Sequence, residues 1–169
     1  MIRCILPAAL ALCATAAGAA PILMTPDWMA QACAAWNKNA ILTSELADKW
    51  VKNDKQRGYK IVHMYRTECG ERAPVEMKIE GKDGKAVCTY GGKPQVTPDY
   101  DVDYLMHATS DRWLEMGKGE YGPMRAMMFG RLQFSGPMLE AMSVMTPFEQ
   151  FLLLVGQVPA DTGSCPTGN

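Results

Sequence analysis

The feature that most constrains this chain is a change of apolar period at residue 60. Before it, apolar side chains recur every three or four residues; in the strands expected over 60–108 they recur every two. The first spacing lays a stripe along a helix and the second lays a face on a strand, so neither an all-helical nor an all-strand fold satisfies both halves. Ile61, His63 and Tyr65 share one strand face, with Val62, Met64 and Arg66 on the other. Val75, Met77 and Ile79 then alternate with Glu76, Lys78 and Glu80. The following Gly81-Lys82-Asp83-Gly84 predicts a turn that folds the run back, antiparallel, onto Ala86, Cys88 and Tyr90. A fourth strand is expected over 100–108, with Val102, Tyr104 and Met106 set against Asp101, Asp103 and Leu105, and a fifth over 131–135.

Helices flank these strands. Thr25, Pro26 and Asp27 form a start signal of hydroxyl cap, first-position proline and first-turn acid, and Trp28, Met29, Ala32, Cys33 and Trp36 follow at helical spacing. A second helix is expected from about Thr43, carrying Leu46, Trp50 and Val51. Thr109 should cap a short helix bearing Trp113, Leu114 and Met116, and Pro123 should open another. From Pro137 a helix with Met138, Leu139, Met142 and Met145 should break at Pro147 and restart from a Thr146/Glu149 capping box, with Phe148, Phe151, Leu152 and Val155 on its apolar face.

Residues 1–19 carry one cation, Arg3, then an Ala- and Leu-rich run and the small residues Ala17, Gly18 and Ala19, the pattern of a secretory signal peptide. The run is too short for a mature transmembrane helix of about 20 residues. A periplasmic or secreted location follows as the expectation. Two of the 6 Cys leave with the leader, and Cys33, Cys69, Cys88 and Cys165 remain for one or two disulfides in an oxidising compartment. Three pairings are open; Cys69 with Cys88, on strands read as adjacent, and Cys33 with Cys165 form the set to test first. A formal charge of −1, with Lys and Arg scattered along the chain, offers no concentrated basic face for nucleic acid.

The equipment of an enzyme is sparse. His63 and His107 both fall in expected strands and outside any metal-ligand spacing, so each reads first as a structural residue. Asp101 and Asp103 share one strand face and could hold a cation, but they read first as a solvated strand edge. No nucleophile elbow or phosphate-cradling loop occurs; the glycines at 117, 119 and 122 do not end in Gly-Lys-Ser/Thr. No catalytic residue, metal or cofactor is expected. What the chain holds in abundance is thioether: 13 Met, six of them between Met124 and Met145. Such a stripe is ordinarily core, yet unbranched thioethers also repack around apolar ligands of varied shape.

One stretch resembles a known family. A strand including Tyr104 leads to Thr109-Ser110-Asp111-Arg112-Trp113-Leu114, then Gly117 and Lys118, Pro123, Ala126 and Met127, and Gly130-Arg131-Leu132-Gln133-Phe134-Ser135-Gly136. Glycine with a basic residue, a short Met-bearing helix and a short strand bracketed by glycines is similar to the sterol carrier protein two family of small lipid-binding domains, over about 60–155. The resemblance implies an α+β fold: a five-stranded, mostly antiparallel sheet with helices on one face enclosing an apolar tunnel. It implies non-catalytic binding or transfer of a sterol, fatty acid or other apolar lipid.

Carried onto this chain, the resemblance puts Met127, Leu132, Phe134, Met138 and Met142 on the tunnel, with Gly130 and Gly136 turning the backbone at its rim. Trp113, Met124, Met128, Met145, Phe148, Phe151 and Leu152 complete the expected cavity lining, and 145–155 is the expected gate. The organisation is then a leader over 1–19, an N-terminal helical segment over 20–59, the lipid-binding domain over 60–155 and a flexible tail over 156–169. An apolar lipid is the expected partner, with transient membrane contact as a further option and nucleic acid excluded. The rival reading is an exported interaction module with a filled core, whose C-terminal apolar helix docks on a partner.

Overall fold

The computed structural model describes residues 19–71 and 74–167, so the expected leader lies, apart from its last residue, outside the described residues. Helix α1 (Pro26–Lys38) begins as its start signal requires: Thr25 Oγ1 accepts the Trp28 amide at 3.4 Å, and Pro26 takes the first helical position. Helix α2 spans Ala40–Glu45: it starts before Thr43, because the Asn39 side chain accepts both Ile41 N and Leu42 N, and it ends before Leu46, Trp50 and Val51, which lie in turns and not on the expected helix.

The strands are β1 (Tyr59–Arg66), β2 (Val75–Lys82), β3 (Lys85–Gly92), β4 (Tyr104–Ala108) and β5 (Gln133–Ser135). They form one sheet in the order β3-β2-β1-β4-β5. Pairing is antiparallel except between β1 and β4, which run parallel. The hairpin closes more tightly than its four-residue turn signal implied. Lys82 pairs with Lys85, and only Asp83 and Gly84 turn, both in the left-handed region at φ 50° and 69°.

Strand β4 starts at Tyr104, four residues later than expected, because 99–103 is a turn built around two acids. Asp99 O accepts the amides of Val102 and Asp103. The Asp103 carboxylate takes both Arg57 amino nitrogens at 2.7–2.8 Å, with Ile61 N and Asp99 N at 2.8 Å. It is fully buried, so the solvated-edge reading of Asp103 is corrected; four donors fix it at the junction of β1 and β4. Asp101 is exposed and paired with Lys55.

Helix α3 (Ser110–Gly117) and helix α4 (Pro123–Met128) follow, then α5 (Met138–Ser143) and α6 (Met145–Gln157) beyond β5. Thr109 makes no side-chain cap; Glu68, from the 3-10 turn Thr67–Cys69, accepts Ser110 N and Ser110 Oγ instead. The break between α5 and α6 falls at Val144, and no Thr146/Glu149 capping box forms. Pro147 sits in the first turn of α6, where its missing amide has no helical acceptor to lose.

Side chains of Val62, Met64, Met77, Tyr104 and Met106 join α1, α2, α3 and α6 in one core. Two disulfides staple it: Cys33 to Cys88 and Cys69 to Cys165. The pairing favoured from sequence is therefore wrong, since β2 lies between β3, which carries Cys88, and β1, which ends just before Cys69. The first staple fixes α1 on β3, where Asn37 also exchanges two hydrogen bonds of 2.8 Å with the Cys88 backbone, as a neighbouring strand would. The second ties the tail beside Arg66, whose guanidinium donates to Thr162 O and Ser164 O at 2.8 and 2.5 Å. Asp161 also bridges to the backbone at Pro21 and Leu23. The tail is thus held at several points besides Cys165.

Candidate functional site

Between the sheet and the helices lies a small apolar cavity of about 40 Å³. Trp36 of α1, Leu46 and Trp50 wall one side; Val62, Tyr104, Met106 and Phe134 rise from β1, β4 and β5. Ala141 of α5, with Val144, Pro147, Phe148 and Phe151, closes the rest. Six of these side chains form a closed circuit of rings. Trp36 lies 6.2 Å from Trp50, Trp50 stacks on Tyr104 at 5.9 Å, and Tyr104 lies 5.5 Å from Phe134. Phe134 then meets Phe148 at 6.1 Å, Phe148 meets Phe151 at 6.5 Å, and Phe151 returns to Trp36 at 6.1 Å. Centroid separations of this size are those of favourable aromatic pairs.

Of the expected lining residues, Phe134, Phe148 and Phe151 line the cavity. Trp113, Leu132 and Leu152 are buried elsewhere in the core, Trp113 with its indole N–H on Tyr65 O at 3.2 Å. Met127 and Met145 pack partly buried against that core. Met124, Met128, Met138 and Met142 face out, with exposures of 40–72%. Their helices have six residues each and bury only Pro123 and Ala126, or Ala141 alone, which leaves the methionine faces unused. Met106 is the one thioether on the cavity wall. The expected gate, α6, is instead well anchored: it buries Pro147, Phe148, Phe151, Leu152, Leu154 and Val155, and its Gly156 lies against Gly117 of α3.

Sequence reasoning missed the polar end of the site. Lys60 is fully buried, and its Nζ lies 2.5 Å from Oε2 of Glu140 on α5. The Tyr104 hydroxyl donates to the same oxygen, Asn53 Nδ2 donates to Oε1 at 2.8 Å, and Trp50 Nε1 donates to Tyr104 Oη at 3.1 Å. The ammonium also lies 4.7 and 5.1 Å from the ring centroids of Trp50 and Tyr104, both of them cavity walls. Burial pushes the Lys60 ammonium below the ordinary lysine value, against the opposing effect of Glu140. Burial and then Glu140 raise the Tyr104 phenol far above its usual range, so it remains a donor. Alternation puts Lys60 on the Val62/Met64 face of β1, a local sign that it faces the core, but nothing near it in sequence points to Glu140.

The histidines sit apart from this site. His63 Nε2 lies 3.1 Å from Glu76 Oε2, which also accepts the amides of Gln95 and Val96. His107 stacks on Tyr65 at 4.5 Å and meets Thr67 Oγ1 at 3.0 Å. Among the described residues, no cluster of His, Cys, Asp and Glu has the arrangement to hold a metal ion, and no helix is long and apolar enough to cross a membrane.

A mixed five-stranded sheet closed by helices over an apolar, aromatic-walled cavity defines an α+β protein of the sterol-carrier type. The family model of the SCP-2 sterol transfer family matches residues 45–149, and the chain belongs to that family. The crystal structure of a sterol carrier protein 2 superposes with a TM-score of 0.56 at 17% identity, covering 81% of this chain and 99% of that one. The solution structure of a conserved hypothetical protein from Thermus thermophilus, a candidate sterol carrier protein, gives 0.51 at 17% identity and covers 88% and 96% of the two chains. At this identity the likeness concerns the fold. No curated protein matches the chain in sequence.

Proposed function

We propose that the protein is an exported, non-catalytic carrier of an apolar lipid, bound between the sheet and α5–α6 in an enlarged form of the aromatic-walled cavity. The ring of six aromatics around unfilled space carries the reading, since polarisable walls of this kind bury apolar surface at roughly 25 cal/mol per Å². Membership in a sterol transfer family supports it. The cavity of about 40 Å³ represents a closed form, because a lipid-sized ligand needs roughly 300–1,000 Å³. Opening falls to α5, of which only Ala141 is buried, rather than to the anchored α6. The outward methionines of α4 and α5 would meanwhile offer an adaptable apolar surface for contact with a donor membrane. Two disulfides support an oxidising destination.

The test is displacement of a fluorescent fatty acid or sterol probe from delipidated protein, with thermal shift alongside. Binding raises the melting temperature. Protein that is folded by circular dichroism, yet shows neither displacement nor shift, overturns the proposal. The rival interaction module draws on the exposed Leu139, Met128 and Phe129, at 83, 72 and 67%. A stable hetero-complex with a lipid-free domain would favour it.

A further inference from the structure

We infer that Glu140 occupies the seat of a ligand's headgroup, and that the ligand is a single-chain lipid ending in a carboxylate, whose carboxylate replaces that of Glu140 on Lys60 when α5 lifts. The inference rests on the lipid-carrier reading and adds to it a polar subsite and a choice among lipids.

A buried ammonium beside an apolar cavity is stable only while a counter-charge and hydrogen-bond partners stay with it. Among the described residues the fully buried Lys60 has one salt-bridge partner, Glu140, and that partner arrives on a six-residue helix of which only Ala141 is buried. Helix α5 has no side-chain cap, ends at the Val144 break, and leaves Met138, Leu139 and Met142 at 42–83% exposure. It is entered through Gly136 at φ 139°, where a β-carbon would lie 2.6 Å from Asp103 O, so a sharp glycine turn sets its starting point. The other donors stay behind if α5 moves: Asn53 follows α2, Tyr104 is on β4, and Lys60 is on β1.

Tyr104 both lines the cavity and donates to Glu140, and the Lys60 ammonium lies against the Trp50 and Tyr104 rings that wall it, so lifting α5, which also carries the lining residue Ala141, opens the cavity toward these donors. An acyl chain among the aromatic rings would therefore end at the Lys60 ammonium. Exchange of one carboxylate for another keeps the charge balanced while Glu140 passes into water. A sterol hydroxyl or an ester in the same place would leave the ammonium without a counter-charge. The subsite thus selects a free fatty acid over its methyl ester and over a sterol, and Glu140 acts as a built-in competitor.

Binding of palmitic acid, methyl palmitate and cholesterol to delipidated full-length protein tests this, in the wild type, Glu140→Gln, Lys60→Met and the charge-balanced double variant Lys60→Met/Glu140→Gln. The wild type should prefer the acid to the ester by about tenfold or more, the scale on which losing one good charge-assisted pair acts. Glu140→Gln should tighten acid binding by about tenfold, as removal of a tethered competitor does. The double variant keeps the cluster neutral and should lose the acid preference while still binding ester; should Glu140→Gln fail to fold, the wild type and the double variant still decide. Equal binding of acid and ester by the wild type overturns this inference and leaves the lipid-carrier reading standing. Unchanged acid preference in the double variant also overturns it. Folded protein that binds none of the three overturns the carrier reading and this inference with it.

Discussion

Cutting the Cys33–Cys88 staple, by Cys33→Ala with Cys88→Ala, gives the sharpest stability test. The two residues are 55 apart in sequence. Closing a loop of that length in the unfolded chain costs about 14 cal/mol/K on the chain-entropy account, so losing the closure should lower stability by roughly 4 kcal/mol at 25 °C. The native contacts around the staple should survive. Trp36 Nε1 still donates to Ala86 O at 2.9 Å, and the Asn37 amide still exchanges its pair of bonds with residue 88. The effect is therefore one of the unfolded state. Urea denaturation followed by tryptophan fluorescence measures it: with a slope of about 2 kcal/mol/M, the midpoint should fall by about 2 M, and the slope should rise because the uncrosslinked chain unfolds to a more exposed state. Asn37→Ala, which removes two hydrogen bonds and leaves the loop closed, should cost roughly 2 kcal/mol. A double-alanine variant that loses less than about 1 kcal/mol, or that unfolds in two separate steps, would refute the reasoning. The first result would mean that the unfolded chain already holds α1 near β3, and the second that α1 folds independently of the sheet.

Non-reducing peptide mapping should recover Cys33 joined to Cys88 and Cys69 joined to Cys165; fragments linking Cys69 to Cys88 would contradict the fold. Gly117→Ala should lower the melting temperature by an amount equivalent to roughly 1–3 kcal/mol, because its β-carbon would lie 2.5 Å from Gly156 N and force α3 off α6. Gly122→Ala, whose β-carbon would meet Glu149 Oε1 at an ordinary 3.8 Å, should cost less than about 1 kcal/mol in the same melt. The Glu80 carboxyl is held down to about 2 from an ordinary 4.5, chiefly by the hydrogen bond from Lys82, with Lys78 and Thr89 adding to it against the cost of burial. Its stabilising contribution is complete above pH 4.5 and is lost as the pH falls toward 2, so Glu80→Gln should flatten the wild type's decline across that window in stability measured by chemical denaturation.

The hairpin and the first helix were legible in the sequence because local chemistry decides them. Alternation placed β1, β2 and β3, Asp83-Gly84 is a turn that few other residues can make, and Thr25-Pro26 is a helix start wherever it is buried. The resemblance around Gly117 and Gly130 to Gly136 led to the correct family. The cavity was another matter. Its ring joins residues from Trp36 to Phe151, and no local window contains the closure of Trp36 on Phe151. Periodicity showed that the methionines of α4 and α5 share helix faces, but not that helices of six residues would turn those faces to solvent. The cysteine pairing failed for a related reason: strand order in the sheet is a tertiary fact, and β2 had to be placed between β1 and β3 before Cys69 and Cys88 could be seen to be apart. Lys60 and Glu140 are 80 residues apart and carry no motif, so only the fold brings them together.

Whether a lipid resides in this protein is settled most directly by native mass spectrometry of the chain purified after recombinant export, before and after incubation with mixed fatty acids and sterols. The account predicts a chain mass with two disulfides and one bound lipid per chain, released on collisional activation and restored on reincubation. A folded chain that shows only the lipid-free mass under both conditions, or that appears only in a stable complex with another protein, would contradict it.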